Sequence, residues 1–366
     1  MSHTAFPALD FAPPDELAAQ ARAQGIVIFG CGGFARDLLA AARQAQIPVH
    51  GFVVSSGAAA EHAGLPVLPL GAAPAAWHAL LLWIGVFNHT PSARYAVIRE
   101  TCEAVGFTRI VAPTAFFEQV QDSLGWRYWL TDRANYARHR PALEAAFARL
   151  DDEPSRQLFA GILAFRLGRT WTIPGAPGDE PHYFPDVVRH ARPGPLGLVD
   201  VGAYDGDTVA QAIDSLPIRE VWAFEPDPAN FERLAARART LPVPTVCFPC
   251  GASSSTAMLS FSSGQGEASA IGGGGDLRIQ VVKLDDCLPN ARVEYLKFDV
   301  EGHEADALRG AAGLIRRNRP ILAIAGYHRW DDLWRIPAWI DGLDLGYRLS
   351  FRVHTHNSFD AVFYAY

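Results

Sequence analysis

The stretch that decides the fold is residues 198–208, LVDVGAYDGDT, within a chain of 366 residues. An apolar strand ends at Asp200 and passes through a turn containing Gly202 and Gly206 before a helix begins at Thr208. Glycine lets the backbone approach a ligand closely because it has no Cβ, and the free N–H groups at a helix start suit a carboxylate or phosphate. The pattern predicts a ligand site at the carboxyl end of the first strand of an open α/β sheet.

A second apolar strand, residues 221–227 with the sequence VWAFEPD, ends in Glu225. A carboxylate in this place can accept hydrogen bonds from both hydroxyls of a ribose, as NAD and S-adenosylmethionine (SAM) each require. The first turn is not G-x-G-x-x-G, and its Asp200-x-Gly202 form favours SAM. We therefore predict SAM as the cofactor, bound by Asp200, Gly202, Ala203, Tyr204, Gly206, Thr208, Glu225 and Asp227.

A third strand, in residues 295–304 (YLKFDVEGHE), ends in a group of polar side chains. Asp299, Glu301 and Glu304 follow it closely, together with His303. The carboxyl ends of parallel strands meet at one edge of a sheet, so these groups should face the same crevice as the cofactor. The alternative is a helix start whose acidic residues are favoured by the helix dipole.

Taken in order, these motifs resemble the FkbM family of SAM-dependent methyltransferases. The resemblance spans residues 198–366, and a family subgroup shares its last motifs. The matching stretches are Asp200–Gly206, Phe224–Pro228, Leu284–Asp286, Lys297–Glu304, Arg319-Pro320, Ala323–Pro337, Arg352-x-His354 and Tyr364.

The resemblance implies a class I methyltransferase sheet, which has parallel strands and a terminal antiparallel hairpin. It also implies O-methylation of a sugar, glycan or polyketide hydroxyl, and the amino-terminal extension resembles those of proteins in surface polysaccharide biosynthesis. Two positions depart from the family pattern. Tyr204 replaces a common Asn next to the methionine part of SAM, and Ala325-Gly326 replaces Ser-Val or Ser-Ile before Tyr327, which alters the acceptor pocket.

Methylation of an alcohol requires loss of a proton, and a well-placed base can add about 10²–10⁴-fold to the rate. We predict His328, Asp299 and Glu301 as the catalytic residues. His328 follows the fifth strand and should point to the same rim as Asp299, although a purely structural histidine is the alternative. His303 is a weaker candidate because the family usually has a small or apolar residue there.

A metal site is a further alternative for the histidines of this half of the chain. Asp299, His303, His328, His354 and His356 are chemically suitable ligands. They come from scattered segments without diagnostic spacing, so the sequence predicts no metal.

The alternation of strands and helices predicts two α/β domains, of which the first is the smaller and is doubly wound. We predict a lead-in at 1–24, a Rossmann-like domain at 25–120, a helical connector and linker at 121–195, and the methyltransferase domain at 196–366. Predicted strands of the last domain are Leu198–Val201, Val221–Glu225, Thr245–Phe248, Tyr295–Asp299 and Ile321–Ala325. Its predicted helices are Thr208–Ser215, Pro228–Arg239 and His303–Arg317, and its hairpin joins Tyr347–Arg352 to Ala361–Tyr366.

The first domain has its own glycine turn, residues 30–35 (GCGGFA), between a strand and a helix. The context suits a dinucleotide, but the next strand ends at Val54 without an acidic residue for a ribose. Two interpretations stay open. The domain binds a nucleotide or the acceptor, or it is a scaffold through which the chain forms a homo-oligomer.

Composition excludes several classes of protein. The net charge is −7 and there is no run of Lys and Arg, so a nucleic-acid partner is not expected. The longest apolar stretch, 79–87, is far short of the roughly 20 residues that span a bilayer, and residues 1–15 do not have the pattern of a signal peptide. Five cysteines, an odd number, favour a reduced, cytoplasmic protein.

The sequence thus predicts a SAM-dependent methyltransferase acting on a small-molecule or glycan hydroxyl. One alternative is a non-catalytic SAM-binding or scaffold protein in a polysaccharide assembly complex. Another is an NAD-dependent sugar oxidoreductase, which lacks the expected Tyr-x-x-x-Lys pair.

Overall fold

The computed structural model describes residues 4–7, 15–262, 270–271 and 277–366. The chain forms two compact units, each built from three separate segments. The first unit is made of Met1–Phe147, Arg156–Gly178 and Thr355–Asp360. The second is made of Ala148–Ser155, Asp179–His354 and Ala361–Tyr366.

The elements up to residue 166 belong mainly to the first unit, with α7 and α8 crossing its boundary. The helices are α1 (Asp15–Gln24), α2 (Gly33–Gln44), α3 (Tyr95–Ala104), α4 (Pro113–Phe116), α5 (Gln121–Leu124), α6 (Arg133–Arg138), α7 (Arg140–Arg149) and α8 (Glu153–Arg166). The strands are β1 (Ile26–Phe29), β2 (Val49–Val54), β3 (Ala60–His62), β4 (Leu65–Pro69), β5 (Leu81–Ile84) and β6 (Ile110–Val111).

The first unit is a mixed α/β structure around a six-stranded sheet with the order β3-β4-β2-β1-β5-β6. All its strand pairs are parallel except β3 with β4. Every residue of β1 and β5 is buried, as expected for central strands of a parallel sheet covered on both faces. Helix α2 starts at Gly33, directly after the glycine turn, and buries a stripe that includes Leu38 and Leu39.

A short returning segment, Thr355–Asp360, belongs to the first unit although it lies between two strands of the second. Within the first unit, Asn357 Nδ2 donates to the carbonyl oxygens of Asn88 at 2.9 Å and Ala93 at 2.8 Å. Its Oδ1 accepts the backbone N–H of Tyr95 at 3.3 Å. The amide of Asn357 therefore satisfies three backbone groups in a distant part of the sequence.

The elements from residue 186 onward form the second unit. The helices are α9 (Asp186–Arg189), α10 (Asp207–Ser215), α11 (Pro228–Ala238), α12 (Leu284–Cys287), α13 (Glu304–Gly310), α14 (Ala312–Asn318) and α15 (Asp332–Asp341). The strands are β7 (Leu196–Val201), β8 (Ile218–Phe224), β9 (Thr245–Phe248), β10 (Gly251–Ala252), β11 (Ala257–Ser262), β12 (Ala270–Ile271), β13 (Leu277–Val282), β14 (Tyr295–Phe298), β15 (Ile321–Ala325), β16 (Leu349–Val353) and β17 (Ala361–Ala365).

The main sheet of the second unit has seven strands in the order β16-β17-β15-β14-β7-β8-β9. The five strands from β15 to β9 are parallel, whereas β17 pairs antiparallel with both β15 and β16. This arrangement confirms the predicted Rossmann-like sheet with its terminal hairpin. It also places the carboxyl ends of β7, β8, β14 and β15 at one edge of the sheet, where open α/β sheets bind ligands.

Two features of this unit differ from the prediction. The single helix predicted over His303–Arg317 is two helices, because the chain leaves helical geometry at Ala311 with φ −106° and ψ 2°. A four-stranded sheet with the order β10-β13-β11-β12 was not predicted. Strands β10 and β12 have two residues each, and polar residues interrupt the apolar ones in β11 and β13, so the sheet lacks the continuous apolar runs by which the central strands are recognised.

None of the helices within the described residues is long and apolar enough to span a membrane.

Candidate active site

The turn between β7 and α10 has a left-handed backbone at three positions. Gly202 has φ +82°, Tyr204 has φ +49° and Gly206 has φ +85°. A Cβ built on Gly202 would overlap the carbonyl oxygen of Asp299, since the backbones after β7 and β14 pass each other there. Glycine is thus required at residue 202 both by the backbone angle and by this close approach.

A buried ion pair lies beneath the turn. Lys297 on β14 is paired in register with Asp200 on β7, and its Nζ lies 2.9 Å from Asp200 Oδ1. The same Nζ donates to the carbonyl oxygen of Gly202 at 2.7 Å. Burial raises the pKa of Asp200 to about 6, against the opposing effect of Lys297. The ion pair and the hydrogen bond from Lys297 stabilise the turn. The contact of Asp200 with a cofactor stays a prediction.

Glu225 comes directly after β8 and lies beside the same turn. Its Oε2 accepts the backbone N–H of Tyr204 at 2.9 Å, and its Oε1 accepts that of Asp227 at 2.8 Å. Burial raises the pKa of Glu225 to about 7, although these hydrogen bonds lower it. The Asn230 side chain also bonds Glu225, and the carboxylate, with about four lone-pair sites, can still accept a bond from a ligand.

Asp227, predicted as a cofactor residue, is the N-cap of α11. Its Oδ1 accepts the N–H groups of Ala229 at 2.9 Å and Asn230 at 3.0 Å. Asp227 is also buried. The capping bonds give Asp227 a structural role that the sequence analysis did not assign, and a cofactor contact stays a prediction.

We expect Asp227→Ala to lower the free energy of unfolding by about 1 kcal/mol, because two N–H groups at the start of α11 lose their acceptor. The measurement is thermal or urea unfolding of the full chain. Asp214→Ala is the matched control, since Asp214 is an exposed acid near the end of α10. Equal unfolding of both variants and the parent chain would contradict the capping role.

The remaining predicted cofactor residues also lie at this turn. Ala203 is buried, and the ring of Tyr204 has the Arg233 guanidinium 5.4 Å from its centroid. Thr208 is in the first turn of α10, which begins at Asp207 without a side-chain cap from Gly206. The predicted cofactor residues therefore lie at the end of β7, on the turn that follows it, at the start of α10, or directly after β8.

The predicted catalytic residues meet around a buried imidazole. His328 Nε2 lies 3.4 Å from Asp299 Oδ1 and 3.6 Å from Glu301 Oε2. On the other side of the ring, His328 Nδ1 lies 2.6 Å from Glu304 Oε1, at hydrogen-bond distance. His328 and Glu304 are almost fully buried, whereas the side chains of Asp299 and Glu301 keep 24% and 19% of their exposure. We call these four residues the carboxylate–imidazole cluster.

The cluster is strongly polarised. Burial lowers the pKa of His328, but the carboxylates of Glu304, Glu301 and Asp299 outweigh it and hold the pKa well above the usual value for histidine. The His328 charge in turn keeps the pKa of Glu304 below its ordinary value despite burial. Asp332 is buried beside Glu304. Its burial and the negative charge of Glu304 raise the pKa of Asp332 to about 8.

Tyr183 completes the surroundings of Asp299, and sequence reasoning missed it. Its hydroxyl donates to Asp299 Oδ2 at 2.7 Å, and Lys297 Nζ lies 4.9 Å from the centre of its ring. Tyr183 lies within residues 121–195, predicted as a connector and linker, where no periodicity marks it. Lys297 had a signal, because a lone lysine inside an apolar strand requires a buried partner.

The structure does not bring all the candidate metal ligands together. Among the described residues, Asp299, Glu304 and His328 form a group in which the possible ligand atoms all lie within 4.8 Å of one another. His354 is bonded instead to the Tyr364 hydroxyl, 2.8 Å from its Nε2, and His356 belongs to the other unit. The prediction of no metal stays a prediction.

Comparison with known proteins gives two findings. Residues 200–349 match the family model described as "Methyltransferase FkbM domain". A crystal structure of a methyltransferase FkbM from Methylobacillus flagellatus KT is 23% identical with a TM-score of 0.72, over 97% of this chain and 94% of that one. At this identity the match shows a shared fold.

A precorrin-6y C5,15-methyltransferase from Geobacter metallireducens GS-15 is 10% identical over 48% of this chain and 81% of that one. Its TM-score of 0.31 is too low to support a conclusion. No curated protein matches the chain. The family model covers both the glycine turn and the carboxylate–imidazole cluster, so the chain carries a methyltransferase domain of the FkbM family at residues 200–349.

Proposed function

We propose that the protein is a SAM-dependent O-methyltransferase that acts on a hydroxyl of a sugar, glycan or related secondary metabolite. The observation that carries the proposal is the placement of two different groups at neighbouring strand ends. Glu225 and the glycine turn follow β8 and β7, and the carboxylate–imidazole cluster follows β14 and β15. A place in surface polysaccharide biosynthesis is part of the proposal and rests on the family resemblance.

The cofactor side suits SAM in its chemistry. Glu225 can accept a hydrogen bond from a ribose hydroxyl with the lone-pair capacity that its own partners leave. At the start of α10, the N–H groups of Asp207 and Thr208 are already bonded by the carboxylates of Asp205 and Asp207, so the support for SAM on this side comes from Glu225. SAM would supply a methyl group on a positively charged sulfur, which makes that methyl open to attack by oxygen.

The acceptor side would hold the hydroxyl and take its proton. The acceptor oxygen forms a bond to the methyl carbon, the bond from sulfur to that carbon breaks, and its electron pair stays on sulfur. In the charge state favoured by its neighbours, His328 has no lone pair for the hydroxyl proton. Asp299 and Glu301 are therefore the groups that accept it, and His328 positions both of them through their contacts with Nε2.

SAM affinity should depend on pH through Glu225. A carboxyl group with a pKa of about 7 is protonated below that pH and accepts ribose hydrogen bonds only weakly. We expect SAM to bind about tenfold more weakly at pH 6 than at pH 8, since one pH unit below the pKa corresponds to about tenfold. Calorimetry at both pH values measures the effect.

Glu225→Gln is the control for this pH profile. Glutamine cannot ionise, so the variant should bind SAM more weakly at both pH values and retain only the pH dependence of SAM itself. Identical pH profiles for the variant and the parent chain would show that Glu225 does not bind the ribose.

The enzymatic proposal is tested by incubating the full chain with SAM and a panel of nucleotide sugars and oligosaccharides. The expected result is an acceptor that gains the mass of one methyl group on oxygen, together with S-adenosylhomocysteine. If SAM does not bind, the proposal is wrong. SAM binding without transfer to any member of a broad hydroxyl panel would favour the non-catalytic SAM-binding protein instead.

A further inference from the structure

A cavity in the first unit is lined by residues from three separate parts of the sequence. Arg94 lies directly before α3, Phe165 lies at the end of α8 with Trp171 in the loop that follows, and Thr355 and His356 belong to the returning segment. All the lining residues belong to the first unit. The cavity contains about 430 Å³ of empty space when its open mouth is counted, so a small molecule can enter it while part of its surface stays in solvent.

The topology of the first sheet places this cavity near a point where ligands commonly bind. From β1 the chain continues to β2, β3 and β4 on one side, and then returns to β5 and β6 on the other side of β1. The strand order therefore reverses between the parallel neighbours β1 and β5, and open α/β sheets bind ligands beyond the carboxyl ends of the strands at such a reversal. Arg94 ends the segment that follows β5, and the Asn357 amide is bonded to that segment at Asn88 and Ala93.

Part of the cavity wall offers positive charge and hydrogen-bond donors. Arg94 Nε donates to the carbonyl oxygen of Pro91 at 3.0 Å, and its other two nitrogens have no partner among the described residues. The Thr355 hydroxyl is buried and has no hydrogen-bond partner within the same part of the chain, although buried polar groups are normally bonded. Burial and the charges of Arg94 and His89 lower the pKa of His356, so three basic side chains lie near one another. Because none of the described lining residues is acidic, this part of the wall suits an anion.

The rest of the wall is largely apolar and includes two aromatic rings, those of Phe165 and Trp171. The Arg99 guanidinium lies 5.1 Å from the centroid of the Trp171 ring. The Phe165 ring stacks on Tyr95, with 5.8 Å between the ring centroids. These contacts restrict the movement of both rings. Aromatic side chains bind planar nucleobases by stacking, with little preference among the bases.

We propose that this cavity binds a nucleotide, with its phosphate at Arg94 and its base against Trp171. Arginine suits a phosphate because its planar set of donors matches the phosphate oxygens. A nucleotide combines in one molecule the anion and the planar ring that the two parts of the wall favour. The first domain is then a binding domain rather than only a scaffold, and its ligand lies after β5 rather than at the glycine turn of residues 30–35. This site goes beyond the methyl transfer proposed for the second unit and does not depend on it.

The test is calorimetry of the full chain with the diphosphates of adenosine, cytidine, guanosine and uridine. We expect at least one of them to bind. Pyrophosphate and the corresponding nucleoside should each bind at least about tenfold more weakly, because each has only one of the two recognised parts. If none of the four diphosphates binds, or if pyrophosphate binds as tightly as they do, the proposal is wrong.

Two pairs of variants locate the bound nucleotide. Arg94→Gln removes the positive charge and should weaken binding about 10- to 100-fold, since charge-assisted hydrogen bonds to phosphate are lost. Arg36→Gln is its matched control and should bind as the parent chain does, because Arg36 is an exposed arginine in the first turn of α2, beside the glycine turn. Trp171→Leu should weaken binding about tenfold through the loss of stacking, whereas Trp171→Phe keeps an aromatic ring and should retain most of the affinity.

Thermal unfolding of each variant shows whether it is folded, and the two pairs provide independent tests. If folded Arg94→Gln and Trp171→Leu bind as the parent chain does, the nucleotide binds elsewhere and the proposal is wrong. Loss of binding in Arg36→Gln but not in Arg94→Gln would place the nucleotide at the glycine turn and would also overturn it. Calorimetry with SAM tests the second unit separately, so a failure of either proposal leaves the other intact.

Discussion

His328→Gln is expected to lower the rate of methyl transfer by about 10²–10⁴-fold, because the proton acceptors Asp299 and Glu301 lose the group that positions them and a well-placed base contributes about this much. His328 is fully buried and contacts all three carboxylates of the cluster. Glutamine has a similar reach and can still donate an N–H to Glu304, but it offers neither a charge nor an imidazole nitrogen to Asp299 and Glu301. The measurement is the rate of S-adenosylhomocysteine formation with the first acceptor found for the parent chain.

Two further measurements separate a catalytic loss from a structural one. SAM affinity should change little, because the cofactor residues follow β7 and β8 and His328 follows β15. Asp306→Asn, at a partly exposed acid on α13 that pairs with Arg309, should keep the parent rate. If His328→Gln turns over normally, His328 is a structural histidine and the proposed acceptor side is wrong.

Gly202→Ala is expected to destabilise the second unit by about 2–5 kcal/mol and to abolish SAM binding. A left-handed backbone costs a residue with a Cβ about 1–2 kcal/mol. The Cβ would also overlap the Asp299 carbonyl oxygen, and forcing such an atom into packed structure costs about 1–3 kcal/mol. Relief requires the loops after β7 and β14 to separate, and these loops carry the two halves of the site.

Gly346→Ala is the matched control for this substitution. Gly346 has a similar φ of +72°, but a Cβ there meets no atom within 4 Å. Its loss of stability in urea unfolding measures the cost of the backbone angle alone. If Gly202→Ala and Gly346→Ala lose the same free energy, the close approach of the two loops makes no contribution to stability.

The central part of the fold could be predicted because its signals are local. Strands such as Ile321–Ala325, and Tyr295–Phe298 apart from Lys297, are short, fully buried apolar runs. Glycine turns or acidic residues mark where they end. The small sheet from β10 to β13 has no such run, and its pairing depends on contacts between segments distant in sequence. The break at Ala311 was missed because helical periodicity continues across it.

For the candidate site, the sequence predicted that certain residues lie close together, but not the contacts between them. Asp299, Glu301 and His328 were predicted from their places after two strands, and the structure brings them together. Nothing local indicates that Glu304 reaches the far side of the imidazole, or that Tyr183 returns from a stretch without periodicity to bond Asp299. Asp227, predicted to bind the cofactor, is also the N-cap of α11, a role that the sequence did not indicate, and its cofactor contact stays a prediction.

The returning segment Thr355–Asp360 has a consequence for how the chain acquires its structure. Asn357 bonds the backbone of Tyr95 across 262 positions of sequence, so the first unit is incomplete until that distant segment has been synthesised. Contacts of such long range close large loops and slow folding. During synthesis, the first unit therefore cannot finish folding before most of the second unit has left the ribosome. A fragment cut after Gly178 would leave the Asn88, Ala93 and Tyr95 backbone groups without the Asn357 amide.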